Sequence, residues 1–151
     1  MDKDFREVFK PATDVLNKYK NDNNILLKFI VMYIFCEIVA KSIVLVAIGK
    51  KINKTNLKNV FFDKYNDGNN YKKIDLIQIV ESILNKYSIK KDLIHRIFNS
   101  KESGKVISCR NIRNSVFHSL DKECIKSISK EEHIKYLKDF IDKIFLITNY
   151  N

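Results

Sequence analysis

The chain has 151 residues, 45% of them apolar and 30% charged, a composition that builds one globular domain with a real core and excludes an intrinsically disordered segment. One proline and three glycines are too few for a turn-rich β architecture, so the expected class is all-α, a single domain over residues 1–151. The net charge of +10 suits a polyanionic partner such as nucleic acid and equally suits a lysine-rich solvated surface.

The N-terminal residues MDKDFREVFK carry no apolar stretch of the secretory type. Cys36, Cys109 and Cys124 cannot all pair within one chain, which points to a reducing, cytoplasmic setting with free thiols. The first predicted helix runs from Pro11 to Lys20, with proline in the first turn, where no backbone donor is needed. Residues Phe5–Lys10 form a preceding turn of helix, and the run Asn21 to Asn24 breaks the pattern. The second helix spans Ile25 to Ile48 and stops at Gly49.

That second helix is apolar enough to raise the question of a membrane span. It contains Lys28, Glu37 and Lys41, and its longest uncharged runs, Phe29–Cys36 and Ser42–Ile48, fall short of the roughly 18 residues a span needs. The expectation is a helix buried on most of its circumference, with no membrane partner.

Residues Lys50–Lys73 are polar, with a short helix predicted near Asn56–Tyr65 and a turn at Asp67-Gly68. The third helix starts at Asp75, with Asp75 as cap, Gln78 answering it, and Ile74 and Ile79 as a staple. Leu76, Ile77, Val80, Ile83, Leu84 and Tyr87 repeat at helical spacing. Ser88 is expected to cap a short helix over Ile89–Phe98. After a linker, Ser100–Gly104, the fourth major helix runs from Lys105 to Leu120, with Val106, Cys109, Ile112, Val116 and Leu120 facing inward. Asp121–Ser127 leads to a last helix, opened by a capping box of Ser129 and Glu132 and carrying Ile134, Leu137, Ile141, Ile144 and Phe145 on its apolar face. The sum is five to six helices in a small bundle.

Chemistry concentrates on the fourth helix. Arg110, Asn114 and His118 are spaced i, i+4, i+8 and share one side. Arg113 lies five residues before His118, about 140° around the axis, so only side-chain length or a partner chain brings guanidinium and imidazole to one phosphate. Only four of the 28 basic residues are arginine, and two of those, Arg110 and Arg113, fall within four positions. Arginine offers a rigid, permanently charged fork suited to phosphate. Between Ser88 and Lys130 ten Lys or Arg stand against four Asp or Glu, so six of the ten net positive charges surround this helix and favour an RNA backbone.

The segment Arg113-Asn114-Ser115-Val116-Phe117-His118 resembles the R-N-x-x-x-H signature of HEPN domains, and the flanking CRNIRNSVFHSL is similar in style. The resemblance implies a HEPN-like helical fold, a homodimer in which two motif helices meet across a two-fold axis, and metal-independent endoribonuclease activity in toxin or phage-defence systems. It needs no cofactor and no metal. A base that takes the 2′-OH proton starts an internal attack that yields a 2′,3′-cyclic phosphate and a 5′-OH. His118 suits general base or acid. Arg113 suits charge stabilisation, Asn114 orientation and Arg110 substrate contact. HEPN proteins often carry a polar or acidic residue on an earlier helix that positions the motif arginine, and Glu37 is the match here, with Lys41 as its local partner and Arg113 as the distant one. An antitoxin or another defence-system protein is an implied partner. In the branch paired with a minimal nucleotidyltransferase antitoxin, tyrosine stands two places after the histidine; Ser119 and Leu120 follow His118 here, which argues against that pairing.

Other readings stand beside this one. The motif residues could be the solvated face of an amphipathic helix, or the domain could be a non-catalytic HEPN-like module that binds nucleotide or RNA or serves in dimerisation. His95 and His133 fall on predicted helix surfaces, as bystanders. Cys109, His118, Cys124 and His133 lack paired metal-ligand spacing.

Overall fold

The computed structural model describes residues 3–99, 107–119, 122, 126 and 131–148. Among these residues the chain forms α1 (Lys3–Tyr19), α2 (Ile25–Ala47), α3 (Lys54–Lys58), β1 (Lys64–Asp67), β2 (Asn70–Lys73), α4 (Leu76–Leu84), α5 (Lys91–Phe98), α6 (Cys109–Ser119) and α7 (Glu132–Thr148), with a 3-10 turn at Asn85–Tyr87. The protein is mostly helical, as expected, and the small hairpin β1–β2 is its one departure from an all-α chain among the described residues.

α2 is the axle. Asn24 starts it by accepting a hydrogen bond from the Leu27 amide at 3.1 Å, an N-cap that satisfies one of the helix's orphan donors. Gly49 ends it. Its φ of +75° is the left-handed conformation that glycine adopts without strain. There the Lys50 amide reaches the Leu45 carbonyl at 2.8 Å and the Gly49 amide the Val46 carbonyl at 3.1 Å, the paired bonds of a Schellman stop. Between the caps, eleven residues are buried, from Phe29 to Leu45. α1, α3, α4, α6 and α7 all pack on this helix. By length and composition α2 could cross a membrane, yet 61% of its apolar window is buried inside the fold. The buried Ser42 hydroxyl donates to the Ile38 carbonyl at 2.8 Å, a bond back to the preceding turn that satisfies it inside the core.

Four aromatic rings run through the core from α2 to α7. Phe29 stacks on Tyr33, Tyr33 meets Phe98 of α5 at 6.3 Å between centroids, and Phe98 meets Phe140 edge-on at 5.9 Å. Phe62, from the segment before β1, contacts Phe98 at 6.3 Å. Arg96 on α5 straps the outside. It bonds Asp92 at 2.9 Å and the Tyr136 hydroxyl of α7 at 2.5 Å, and Tyr136 bonds Glu132 at 2.7 Å.

Several boundaries differ from the sequence expectation. α1 begins at Lys3 and carries Pro11 in its interior, where proline removes one rung and crowds the carbonyl of the preceding turn. The helix expected at Asn56–Tyr65 is the shorter α3, because Asn53 caps it early, accepting from the Asn56 amide at 2.8 Å. Lys64 and its neighbours then pair with β2 around Gly68, whose φ is +66°. Asp75 does cap α4, accepting from the Gln78 amide at 3.1 Å. Ser88 does not open the next helix. It sits at φ 64° behind the 3-10 turn, and α5 starts only at Lys91. α6 starts at Cys109, where the Ser108 hydroxyl accepts from the Asn111 amide at 3.1 Å. The expected linker Ser100–Gly104, and Val106, Leu120 and Ser129, lie outside the described residues. His133 is buried, not a surface residue. Its Nε2–H donates to the Ile107 carbonyl at 2.7 Å.

Phe98 joins three aromatic neighbours at a fully buried position. Phe98→Ala should therefore cost about 3–5 kcal/mol, measured as a fall in unfolding free energy in urea.

Candidate active site between α2, α4, α5 and α6

α6 turns its apolar stripe, Cys109, Ile112 and Val116, into the core, where all three are buried. Arg110, Arg113 and Asn114, at i, i+3 and i+4, are then left on a neighbouring face. That face forms one wall of an open cleft of about 1120 Å3. Glu37 and Lys41 of α2, Ile77, Gln78 and Glu81 of α4, and Lys91, His95 and Asn99 at α5 form other walls, and Phe61, Phe62 and Asp63 close one side.

The arginines are held in place by rings. The Arg110 guanidinium lies 3.4 Å from the centroid of Phe62, and that of Arg113 5.2 Å from the centroid of Tyr33. Arg113 Nη2 donates to Glu37 Oε1 at 3.3 Å, and Lys41 Nζ stands 3.5 Å from the same oxygen. Glu37 thus meets both the local and the distant partner anticipated for it. Its side chain is only 16% exposed, so the attraction acts in a medium less screening than water. Arg113 uses one edge on Glu37 and keeps other N–H donors. Arg110 and Lys91 make no ion pair among the described residues.

Tyr33 lies beneath Arg113 with its hydroxyl buried. Burial, then the Glu37 charge, pushes its phenol well above the ordinary tyrosine value, while Arg113 and Arg110 pull the other way. Burial also lowers the Arg110 guanidinium from its usual range, helped by Arg113 and opposed by Tyr33, Glu37 and Asp63. Cys36 and Cys109 are free and buried, and burial raises both thiols above the ordinary range.

Of the residues singled out in the sequence, the fold brings Glu37, Arg110, Arg113 and Asn114 to one cleft. His118 is not with them. One turn beyond Asn114, it is exposed and forms no part of the cleft lining. The spacing that puts Arg110, Asn114 and His118 on one side of α6 therefore does not carry His118 into the cleft, because it lies a turn further along the helix. Sequence reasoning passed over His95, a cleft residue whose Nε2 contacts the Glu81 carboxylate, and over the two aromatic platforms. The cluster of both arginines within one helical turn was the available signal that something planar must receive them.

Two measurements probe this arrangement. Glu37→Ala strips Arg113 of its carboxylate and should cost about 1–3 kcal/mol in urea unfolding, with Lys41→Ala costing less than half as much. The second concerns pH. Because the folded Tyr33 phenol keeps its proton to higher pH than the unfolded one, its contribution to stability is complete below about pH 10 and is lost as pH climbs toward the raised value. Wild type should thus lose more stability than Tyr33→Phe between about pH 9 and about pH 11, again read by urea titration. No protein-family model, curated protein or solved structure matches this chain.

Proposed function

We propose that this protein is a HEPN-like, metal-independent endoribonuclease, acting as a cytoplasmic homodimer in toxin or antiviral defence. The observation that carries the reading is the setting of Arg113. The motif arginine is tied to Glu37, stacked on Tyr33, and lies in a cleft with Arg110 and Asn114. A guanidinium fixed in this way needs little reorganisation to meet charge that builds on a phosphate in the transition state. Arg110, without a carboxylate partner among the described residues, has its charge available for a second phosphate oxygen. No external nucleophile is required, because RNA carries its own in the 2′-OH.

His118 enters as the proton-transfer group, and its exposure fits a composite site. In a two-fold dimer, His118 of one copy serves the arginine cleft of the other. The neighbouring Phe117 is 59% exposed, a large apolar side chain suited to cover by a second copy. An antitoxin or defence-system partner would hold such an activity in check.

The second reading is a non-catalytic module that binds RNA or nucleotide in the same cleft, or serves in dimerisation. The position of His118 outside the cleft of its own chain favours it.

Labelled single-stranded RNA incubated with the protein in EDTA should yield fragments ending in 2′,3′-cyclic phosphate. His118→Ala and Arg113→Ala should each slow that cleavage about a hundredfold or more. Intact RNA, or equal cleavage by His118→Ala, overturns the reading. Binding without cleavage, lost in Arg113→Ala, establishes the second one. Light scattering should give a dimer, and a dimer mixed from wild type and His118→Ala should lose much of its activity. A stable monomer at micromolar concentration contradicts the composite site, and recovery only with detergent contradicts the cytoplasmic assignment.

A further inference from the structure

We propose that His95, oriented by Glu81, is a second proton-transfer residue of the cleft and the base that takes the 2′-hydroxyl proton. The inference rests on the ribonuclease reading and deepens it. Internal transesterification moves two protons, one off the attacking 2′-oxygen and one onto the departing 5′-oxygen. A single imidazole meets only one of these needs at a time. His118 stands outside the cleft of its own chain, whereas His95 stands within it, with Arg110, Arg113 and Asn114.

The local chemistry suits a base. Glu81 projects from α4 and His95 from α5, and Glu81 Oε1 meets His95 Nε2. A carboxylate accepts only, so the neutral ring carries its hydrogen on Nε2 and its lone pair on Nδ1. Nδ1 makes no hydrogen bond among the described residues. Glu81 is 19% exposed and His95 35%, so the carboxylate is sheltered while the ring remains open to a ligand. Once Nδ1 takes a proton, the adjacent carboxylate stabilises the imidazolium. This is the relation by which a triad aspartate holds its histidine, with the two ring nitrogens exchanged. A mere strap between α4 and α5 would need no opening onto the arginine cleft.

The step balances without a metal or a redox partner. The 2′-O–H proton passes to His95 Nδ1 as the 2′-oxygen bonds to phosphorus. The bond from phosphorus to the 5′-oxygen breaks, and that oxygen takes a proton from a protonated His118 of the second copy. The products are a 2′,3′-cyclic phosphate and a 5′-hydroxyl, and exchange with solvent resets both histidines. Arg113 and Arg110 hold the phosphoryl oxygens throughout.

The test uses the full chain, labelled single-stranded RNA for cleavage, and the same oligonucleotide with 2′-O-methyl groups for binding. His95→Gln and His95→Ala should lower kcat about a hundredfold or more and bind the methylated RNA as wild type does. Added imidazole should restore part of the activity of His95→Ala, which a purely structural role would not allow. Glu81→Gln should lower kcat about tenfold with KM unchanged. Wild type that cleaves while His95→Gln cleaves equally well overturns this inference alone. Loss of binding together with loss of activity, without imidazole rescue, also overturns it in favour of a structural pair. Wild type that leaves RNA intact overturns the ribonuclease reading and this inference with it.

Discussion

The contact between Glu37 and Arg113 governs the cleft. It joins the central helix to the motif helix across 76 positions of sequence, at 3.3 Å. A carboxylate in the middle of an apolar helix needs a cation, and a guanidinium held on the Tyr33 ring supplies one in a fixed place. The aromatic core enforces the match, because Tyr33 supports Arg113 on one side and stacks into the Phe29 and Phe98 rings on the other. The chain of interactions therefore runs from core packing directly into the geometry of the arginines. Lys41 shares the same carboxylate oxygen, so Glu37 carries more positive charge around it than one partner would supply.

Much of this was legible before any coordinates. The run Asn21 to Asn24 and then Gly49 mark the limits of α2, because asparagine and glycine interrupt or end a helix for local reasons. Cys109, Ile112 and Val116 mark the inward stripe of α6, and the arginines on the flanking face follow from it. Glu37 stood out because a lone acid in an apolar run calls for a partner. The hairpin was not legible. Tyr65 is its only buried residue, β2 is exposed throughout, and a strand without an apolar face leaves no period-two pattern to read. His133 was misplaced for a different reason. Its burial is made possible by the Ile107 carbonyl, 26 residues earlier, a partner that no local pattern announces.

The two histidines of interest illustrate the difference between a motif and a site. His118 is found by spacing within a six-residue signature, yet its own chain leaves it in solvent. His95 carries no motif and would pass as a surface residue of an amphipathic helix. It acquires a chemical setting only when α4 brings Glu81 against it and α6 closes the opposite wall. Reading a linear pattern identifies residue types suited to a reaction, and the fold decides which of them share a volume.

The wall that carries Phe62 has one more consequence. Its backbone is pinned from both sides: the Phe61 amide bonds the Lys64 carbonyl at 2.8 Å, the Ile74 amide bonds the Asp63 carbonyl at 3.1 Å, and the Leu76 amide bonds the Phe62 carbonyl at 2.9 Å. These links belong to the main chain and do not depend on the identity of the outward side chains of β2. The outer surface of the hairpin can therefore drift through mutation, even exchanging Tyr71, Lys72 and Lys73 for other polar residues, while the ring beneath Arg110 stays where it is. Such a layout lets the rim of the cleft vary in sequence while the ring platform behind it keeps its place.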